Sequence, residues 1–248
     1  MNNINRMNKN DLNLSRHDAI ALIPAYNEEK NIEEVVRKTK EQNMFPLVVD
    51  DFSTDKTGEL ALKSGAKVIK NDFGKGKAYA MKKGLDYIRN NFSNYKCVVL
   101  IDADMQYQPE EANNLIKPIT EENYKVGKGT RDFSKIPFRH RLGNIVWSWF
   151  FNHLSEIKIK DPCCGFIALS KEVVENINLD RIWGGYIGDS SLIFEITKNG
   201  YSNNNIKEVL VSVEYKSISP IFRGIRMVGG VSWFILTSGL KRRLKIEN

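Results

Sequence analysis

The feature that most restricts this chain is a repeated alternation between residues 19 and 115. Short, mostly apolar runs are each followed by a stretch with helical spacing. The first run, 19–23, ends at Pro24; residues 31–42 then place Ile32, Val35 and Val36 on one helical face. Residues 47–50 read as a second strand, 57–63 as a short helix and 66–69 as a third strand. Ala78, Met81, Leu85 and Ile88 recur at spacings of three, four and three, which is a helix stripe, and 97–101 is a fourth strand. Continuous apolar strands separated by helices need cover on both faces. The expected fold is therefore α/β, a mostly parallel sheet with helices on both sides.

In such a sheet, ligands bind beyond the carboxyl ends of the strands. Here those ends are acidic: Glu28 and Glu29 follow the first strand, Asp50 and Asp51 the second, Asp102 and Asp104 the fourth. A single acidic strand end is ordinary, because Asp favours turns and helix caps. Three that one fold brings together point to chemistry. Asp102 and Asp104, two apart where the chain turns out of a buried strand, converge on one hard cation, and Gln106 offers a third oxygen. Oxygen-only ligation suits Mg2+ or Mn2+, with phosphate oxygens completing the shell. Gly74, Lys75, Gly76 and Lys77 open the next helix, either as a phosphate cradle or as a flexible turn with solvated lysines. The string is neither a Walker A loop nor a dinucleotide fingerprint.

The net charge of +7 matters through its distribution. Residues 216–248 carry seven Lys/Arg against Glu247, and 125–141 carry six against Asp132. The rest of the chain is slightly acidic. This disfavours a diffuse nucleic-acid coat and favours two local anion-attracting zones. Three cysteines, two of them adjacent, suit neither a disulfide framework nor zinc spacing, and a reducing compartment is expected. Residues 1–18 are polar and Asn-rich and read as a flexible leader. Two uncharged runs, 142–155 and 227–240, have 14 residues each, short of the about 20 that a span needs. They read as core helices or as helices lying in a membrane interface.

Seven strings, in order, resemble a family 2 glycosyltransferase of the GT-A fold, nearest to the polyprenyl-phosphate or dolichol-phosphate mannosyl- and glucosyltransferase branch. They are I-P-A-Y-N-E-E at 23–29, V-V-D-D-F-S-T-D-K-T at 48–57, G-K-G-K-A at 74–78, D-A-D-M-Q at 102–106, G-T-R at 129–131, D-P-C-C-G-F at 161–166 and E-V-L-V at 208–211. The resemblance implies a GT-A domain over 19–215 with a Rossmann-like sheet, followed by a basic amphipathic helical segment at 216–248. It implies that Pro24, Tyr26 and Glu28 line the base and ribose of a nucleotide-sugar, that Val49 and Asp51 close around the base, and that Asp102 and Ala103 approach the ribose and diphosphate. Asp104 and Gln106 would hold the divalent ion. Arg131 would face the sugar or acceptor phosphate, helped by Arg139 and Arg141.

The family's later acidic site falls at 185–191, with Asp189 present and Ser191 where many relatives carry Glu. Lys216 stands where relatives carry an Arg that contacts the diphosphate. A hydroxyl acceptor needs a general base, whereas a phosphate acceptor is already anionic. The missing Glu thus favours a lipid phosphate, although Asp189 remains a candidate base.

The expected function is metal-dependent, inverting transfer of a hexose from a GDP-mannose or UDP-glucose type donor to polyprenyl or dolichyl phosphate. The enzyme would be cytoplasmic and peripherally attached to an anionic membrane. The alternative is transfer from a UDP-sugar to a glycan or another lipid hydroxyl. Nucleic acid is not an expected partner, because the acidic strand ends repel its phosphates. Each Lys or Arg near an anionic membrane contributes about 1 kcal/mol. Deleting 241–248, with Lys241, Arg242, Arg243 and Lys245, should therefore weaken binding to anionic vesicles at least tenfold in a sedimentation assay. Unchanged binding would return those charges to a solvated tail.

Overall fold

The computed structural model describes residues 18–134, 138–183 and 188–214. The expected leader (apart from Asp18), Lys216 and the whole 216–248 segment lie outside the described residues. Seven strands form one sheet in the order β3-β2-β1-β4-β6-β5-β7. They are β1 (Ala19–Ala25), β2 (Phe45–Asp50), β3 (Lys67–Lys70), β4 (Cys97–Leu100), β5 (Val126–Arg131), β6 (Ile167–Ser170) and β7 (Ile206–Val211). The helices are α1 (Ile32–Glu41), α2 (Thr57–Lys63), α3 (Lys77–Asn91), α4 (Ala112–Glu121), α5 (Phe138–Ser155), α6 (Lys171–Asn176) and α7 (Gly188–Lys198). The four expected strands are present and mutually parallel, as are β5 and β7. Only β6 runs against its neighbours β4 and β5.

Alternation along β1 explains the three layers. Ile20 and Leu22 join Met81, Leu85 and Ile88 of α3, Trp147 and Phe151 of α5, and Leu192 and Ile196 of α7 on one face. Ala21 and Ile23 join Val35 and Val36 of α1, Ala61 of α2 and Leu115 of α4 on the other. Each fully buried Leu, Ile or Val contributes about 1.5–3 kcal/mol, so both faces are strongly held. Pro24 extends β1 opposite Val49, but it lies past Leu22, the last residue paired to β4. A missing N–H there breaks no ladder bond on that side.

The strand next to the β7 edge departs from expectation. Residues 128–131, read as part of a surface basic zone, form the inside of β5, and Lys128 is fully buried. VGKGTR carries little strand propensity; its glycines serve close approach. A Cβ at Gly127 would fall 2.0 Å from the Leu115 carbonyl oxygen of α4, and one at Gly129 would fall 2.7 Å from that of Phe166.

α5 buries Trp147 and Phe151 but leaves Ile145, Val146, Trp149 and Phe150 exposed, with Trp149 at 62%. No described helix is long and apolar enough to cross a membrane.

These close approaches give a packing test. Gly127→Ala drives a Cβ into backbone and should destabilise by roughly 1–3 kcal/mol, as overpacking does. Gly200 has φ 88° and open space around it, so Gly200→Ala should cost only the left-handed penalty of about 1 kcal/mol. Urea unfolding compares the two; a larger loss at Gly200 would contradict the tight α4–β5 contact.

Candidate active site

A cavity of about 200 Å3 opens at the carboxyl ends of β1, β2 and β4. Its walls are Pro24, Ala25, Tyr26, Glu28, Asp51, Lys77, Asp102, Ala103 and Asp104. Seven residues expected at the site thus share one wall system. Val49 does not; its side chain is fully buried in the sheet core. A larger, open hollow of about 620 Å3 lies over α1 and α2, lined by Glu33, Glu34, Arg37, Lys40, Glu41 and Ser64. There Arg37 is neutralised by Glu34 and Glu41, and no strand end contributes.

The loops forming the cavity are held in demanding backbone geometry. Asn27, Phe52 and Met105, each just past one of the three strands, have φ of 54°, 61° and 59°. Non-glycine residues occupy this region at a cost, and such strain gathers at functional sites. Side chains hold the loops together: Asn27 N–H donates to Ser53 Oγ at 3.1 Å, Glu28 N–H to Thr57 Oγ1 at 2.7 Å, and Thr54 N–H to Asn27 Oδ1 at 2.8 Å.

Asp51 is buried, and its oxygens accept from Asn71 Nδ2 at 2.7 Å and Gly76 N–H at 2.8 Å. Its carboxylate thereby fastens the Gly-Lys-Gly-Lys turn at the start of α3, where Gly74 and Gly76 take φ of 134° and 127°. At the mouth, Lys75 Nζ lies 4.7 Å over the ring of Tyr26.

Lys77, the first residue of α3, is the cavity residue whose partners the sequence does not disclose. Its Nζ lies 2.5 Å from Asp102 Oδ1 and 3.0 Å from Asp189 Oδ2, so one ammonium joins the β4 strand end to the start of α7. Burial pulls the Lys77 ammonium down, but Asp102 and Asp189 outweigh it and hold the lysine firmly protonated. Gly165 makes room: a Cβ there would come 2.5 Å from Lys77 Nζ and 3.1 Å from Asp189 Oδ2. The glycine pattern around 165 was visible in the sequence, but not what it faces.

Whether a divalent cation suits this cavity turns on the donor set. From Asp102 to Tyr107 exposure alternates: Asp102, Asp104 and Gln106 are partly open, while Ala103, Met105 and Tyr107 are buried. Asp102 and Asp104 line the cavity, while Gln106 is not among its walls. The Asp102 carboxyl is pushed up by burial; Lys77 opposes this, while Asp189 and Asp104 add to it. Among the described residues no three His, Cys, Asp or Glu side chains come together so as to hold a metal ion by themselves. An ion would take part of its shell from a bound phosphate, as Mg2+ and Mn2+ do. The donor set fits.

The arginine expected to meet a phosphate is already engaged. Arg131 donates from Nε and Nη2 to Asp161 Oδ2 and Oδ1 at 2.6 and 2.8 Å, a fork-to-fork pair with Asp161 fully buried. Burial pushes the Asp161 carboxyl up, but Arg131 outweighs this and holds it below the usual range. Lys128 fastens the same turn, its Nζ donating to the carbonyls of Gly129, Asp161 and Cys164 at 3.1, 2.9 and 2.6 Å. Ser191 Oγ is buried, donates to the Gly188 carbonyl at 3.0 Å and accepts from Trp183 N–H at 3.1 Å. The side chains of Arg139 and Arg141 lie outside the described part of α5.

Residues 20–177 match the family model described as glycosyl transferase family 2. An uncharacterized protein of Methanocaldococcus jannaschii is 29% identical over 212 residues, covering 79% of this chain and 88% of that protein. A UDP-N-acetylglucosamine–dolichyl-phosphate N-acetylglucosaminyltransferase of Methanococcus voltae is 28% identical, covering 86% and 92%. A dolichol-phosphate mannosyltransferase of Pyrococcus furiosus is 33% identical, covering 65% and 48%. The fold matches glucosyl-3-phosphoglycerate synthase from Mycobacterium tuberculosis, solved with Mn2+, UDP and phosphoglyceric acid, with a TM-score of 0.71, 22% identity and coverage of 98% and 85%.

The Arg131–Asp161 pair is testable by stability. Asp161→Asn leaves a buried guanidinium without its counter-charge and should cost roughly 3 kcal/mol at pH 7. Because the Asp161 pKa is depressed on folding, its contribution is complete above about pH 4 and is lost as pH falls through the lower, folded value. The gap between wild type and variant in urea unfolding should therefore narrow in acid. A gap independent of pH would contradict the pairing.

Proposed function

Since this chain belongs to glycosyltransferase family 2, we propose that it transfers a hexose from a nucleotide-sugar to a polyprenyl or dolichyl phosphate at a membrane surface. The chain is a hexosyltransferase, and its relatives include proteins named for dolichyl phosphate as the acceptor. The observation that carries the reading is the cavity where Asp102, Asp104 and Lys77 meet Pro24, Tyr26 and Glu28. Apolar and aromatic walls on one side suit a base and ribose, and oxygen donors on the other suit a metal-bound diphosphate.

In this reading Pro24, Tyr26, Glu28 and Asp51 shape the nucleotide side, with Ala103 allowing close approach. Asp102, Asp104 and Gln106 would hold Mg2+ or Mn2+, which neutralises charge on a leaving diphosphate. Asp189, paired with Lys77, orients the sugar or takes a proton. Arg131, aimed by Asp161, positions the acceptor phosphate with Arg139 and Arg141, which supplies proximity for an inverting in-line displacement. Lys216 would add a diphosphate contact.

Ser191 supports a phosphate acceptor. Its hydroxyl is buried and bonded to backbone, so it supplies no base, and an anionic acceptor requires none. The exposed stripe of Ile145, Val146, Trp149 and Phe150 on α5 supports a bilayer contact, since an aromatic face of this kind suits a membrane interface. In this reading the working enzyme is a peripheral protein on the cytoplasmic side of a membrane.

Purified protein given Mg2+ or Mn2+, polyprenyl phosphate and a panel of nucleotide-sugars should form a lipid-linked sugar, detected by mass spectrometry. Asp104→Ala should lower that rate by at least a hundredfold with an unchanged circular dichroism spectrum. Transfer to sugar or lipid hydroxyls and never to lipid phosphate would replace the acceptor with the alternative one. Near-normal activity of Asp104→Ala would remove it from the metal site.

A further inference from the structure

Lys77 is the one cation lining the described walls of the cavity, and it stands on the residue expected to meet the metal. The same Asp102 carboxylate cannot serve an ammonium at 2.5 Å and a divalent ion without bringing two positive charges close together. In a partly desolvated cavity that repulsion is far stronger than in water. Asp102 and Asp189 are 24% and 21% exposed in their side chains, and Lys77 is 35% exposed, so the cluster is only partly screened. A metal ion arriving alone therefore meets opposition from Lys77. A nucleoside diphosphate brings negative charge into the same space and removes that opposition.

Resting on the metal and nucleotide sites of the proposed function, we infer that Lys77 couples the two binding events: it suppresses divalent-cation binding to the empty site and releases it when a nucleoside diphosphate enters. Coupling of this kind is reciprocal, so the metal strengthens nucleotide binding by the same factor. The surroundings give the ammonium somewhere to go. Lys77 directly follows Gly76, around which a Cβ would meet nothing within 4 Å, and it faces Gly165, which offers no side chain to fix the amine. Asp189 anchors the other side of the amine, so Lys77 can leave Asp102 while keeping one carboxylate partner.

The test is Mn2+ binding measured by electron paramagnetic resonance and calorimetry on the full chain, alone and with UDP or GDP. Wild type should bind Mn2+ weakly alone and at least tenfold more tightly with one of the nucleotides. Lys77→Met should bind Mn2+ alone at least tenfold more tightly than wild type, with a smaller enhancement by nucleotide. Gly165→Ala keeps the charge but pushes the amine from its place, since the added Cβ would lie 2.5 Å from Nζ. It should shift Mn2+ binding in the same direction, which guards against a folding defect in the first variant. Lys77→Met binding Mn2+ no more tightly than wild type, with the nucleotide enhancement intact, overturns the inference alone. Failure of wild type and variants to bind Mn2+ under any of these conditions overturns the metal site, and the inference with it.

Discussion

The buried ammonium of Lys128 and the Arg131–Asp161 pair hold the turn at residues 161–165 against β5, and much of the site depends on that turn. Lys128 engages three backbone carbonyls, two of them in the turn, while Arg131 takes both oxygens of the Asp161 carboxylate. The Pro162 carbonyl then accepts from Ser190 Oγ, which itself accepts from Trp147 Nε1, so the turn locates the start of α7 against α5. Asp189 lies one residue before Ser190, and Gly165 lies at the end of the same turn. A structural charge cluster thereby sets the distance between Asp189 and Lys77. Buried ion pairs add little net stability, because desolvation offsets attraction; their value here is positional.

The opposite wall is organised by a different device. Asp51 holds the start of α3 through Gly76, and residues 27–28 are tied to 53–57 by hydrogen bonds between side chains of one loop and backbone N–H groups of the other. Lys77 sits where the two systems meet. It follows the turn held by Asp51 and reaches both the β4 strand end and α7. The carboxylates of the site consequently differ in their partners. Asp161 is committed to a scaffold contact, Asp51 holds the turn while lining the cavity, and Asp102, Asp104 and Asp189 border the cavity or its lysine.

Legibility in the sequence followed the physics of each signal. β1, β2 and β4 were readable because interior strands of the sheet are apolar on both faces, the edge strand β3 because it is a short apolar run between helices, and α1 and α3 because their buried residues recur at helical spacing. β5 was not. VGKGTR lacks a run of β-branched residues, and its lysine and arginine point to solvent by composition. The structure buries Lys128 and half-buries Arg131, because three carbonyls and one carboxylate receive them, and all of those partners except the Gly129 carbonyl lie about 30 residues away in sequence. Val49 shows the converse limit: its neighbour Asp51 reaches the cavity, but alternation along β2 turns Val49 into the core.

By itself the sequence determined the α/β class, the strand ends that carry acidic residues and the family to which the chain belongs. Those properties are written in local periodicity and in short ordered strings. Only the tertiary structure decided which charges face which. It placed Lys77 between Asp102 and Asp189, paired Arg131 with Asp161, and made Lys128 and Ser191 internal fasteners. The reason is that electrostatic partnership depends on distance and dielectric, and chain spacing specifies neither until the sheet has closed the loops upon one another.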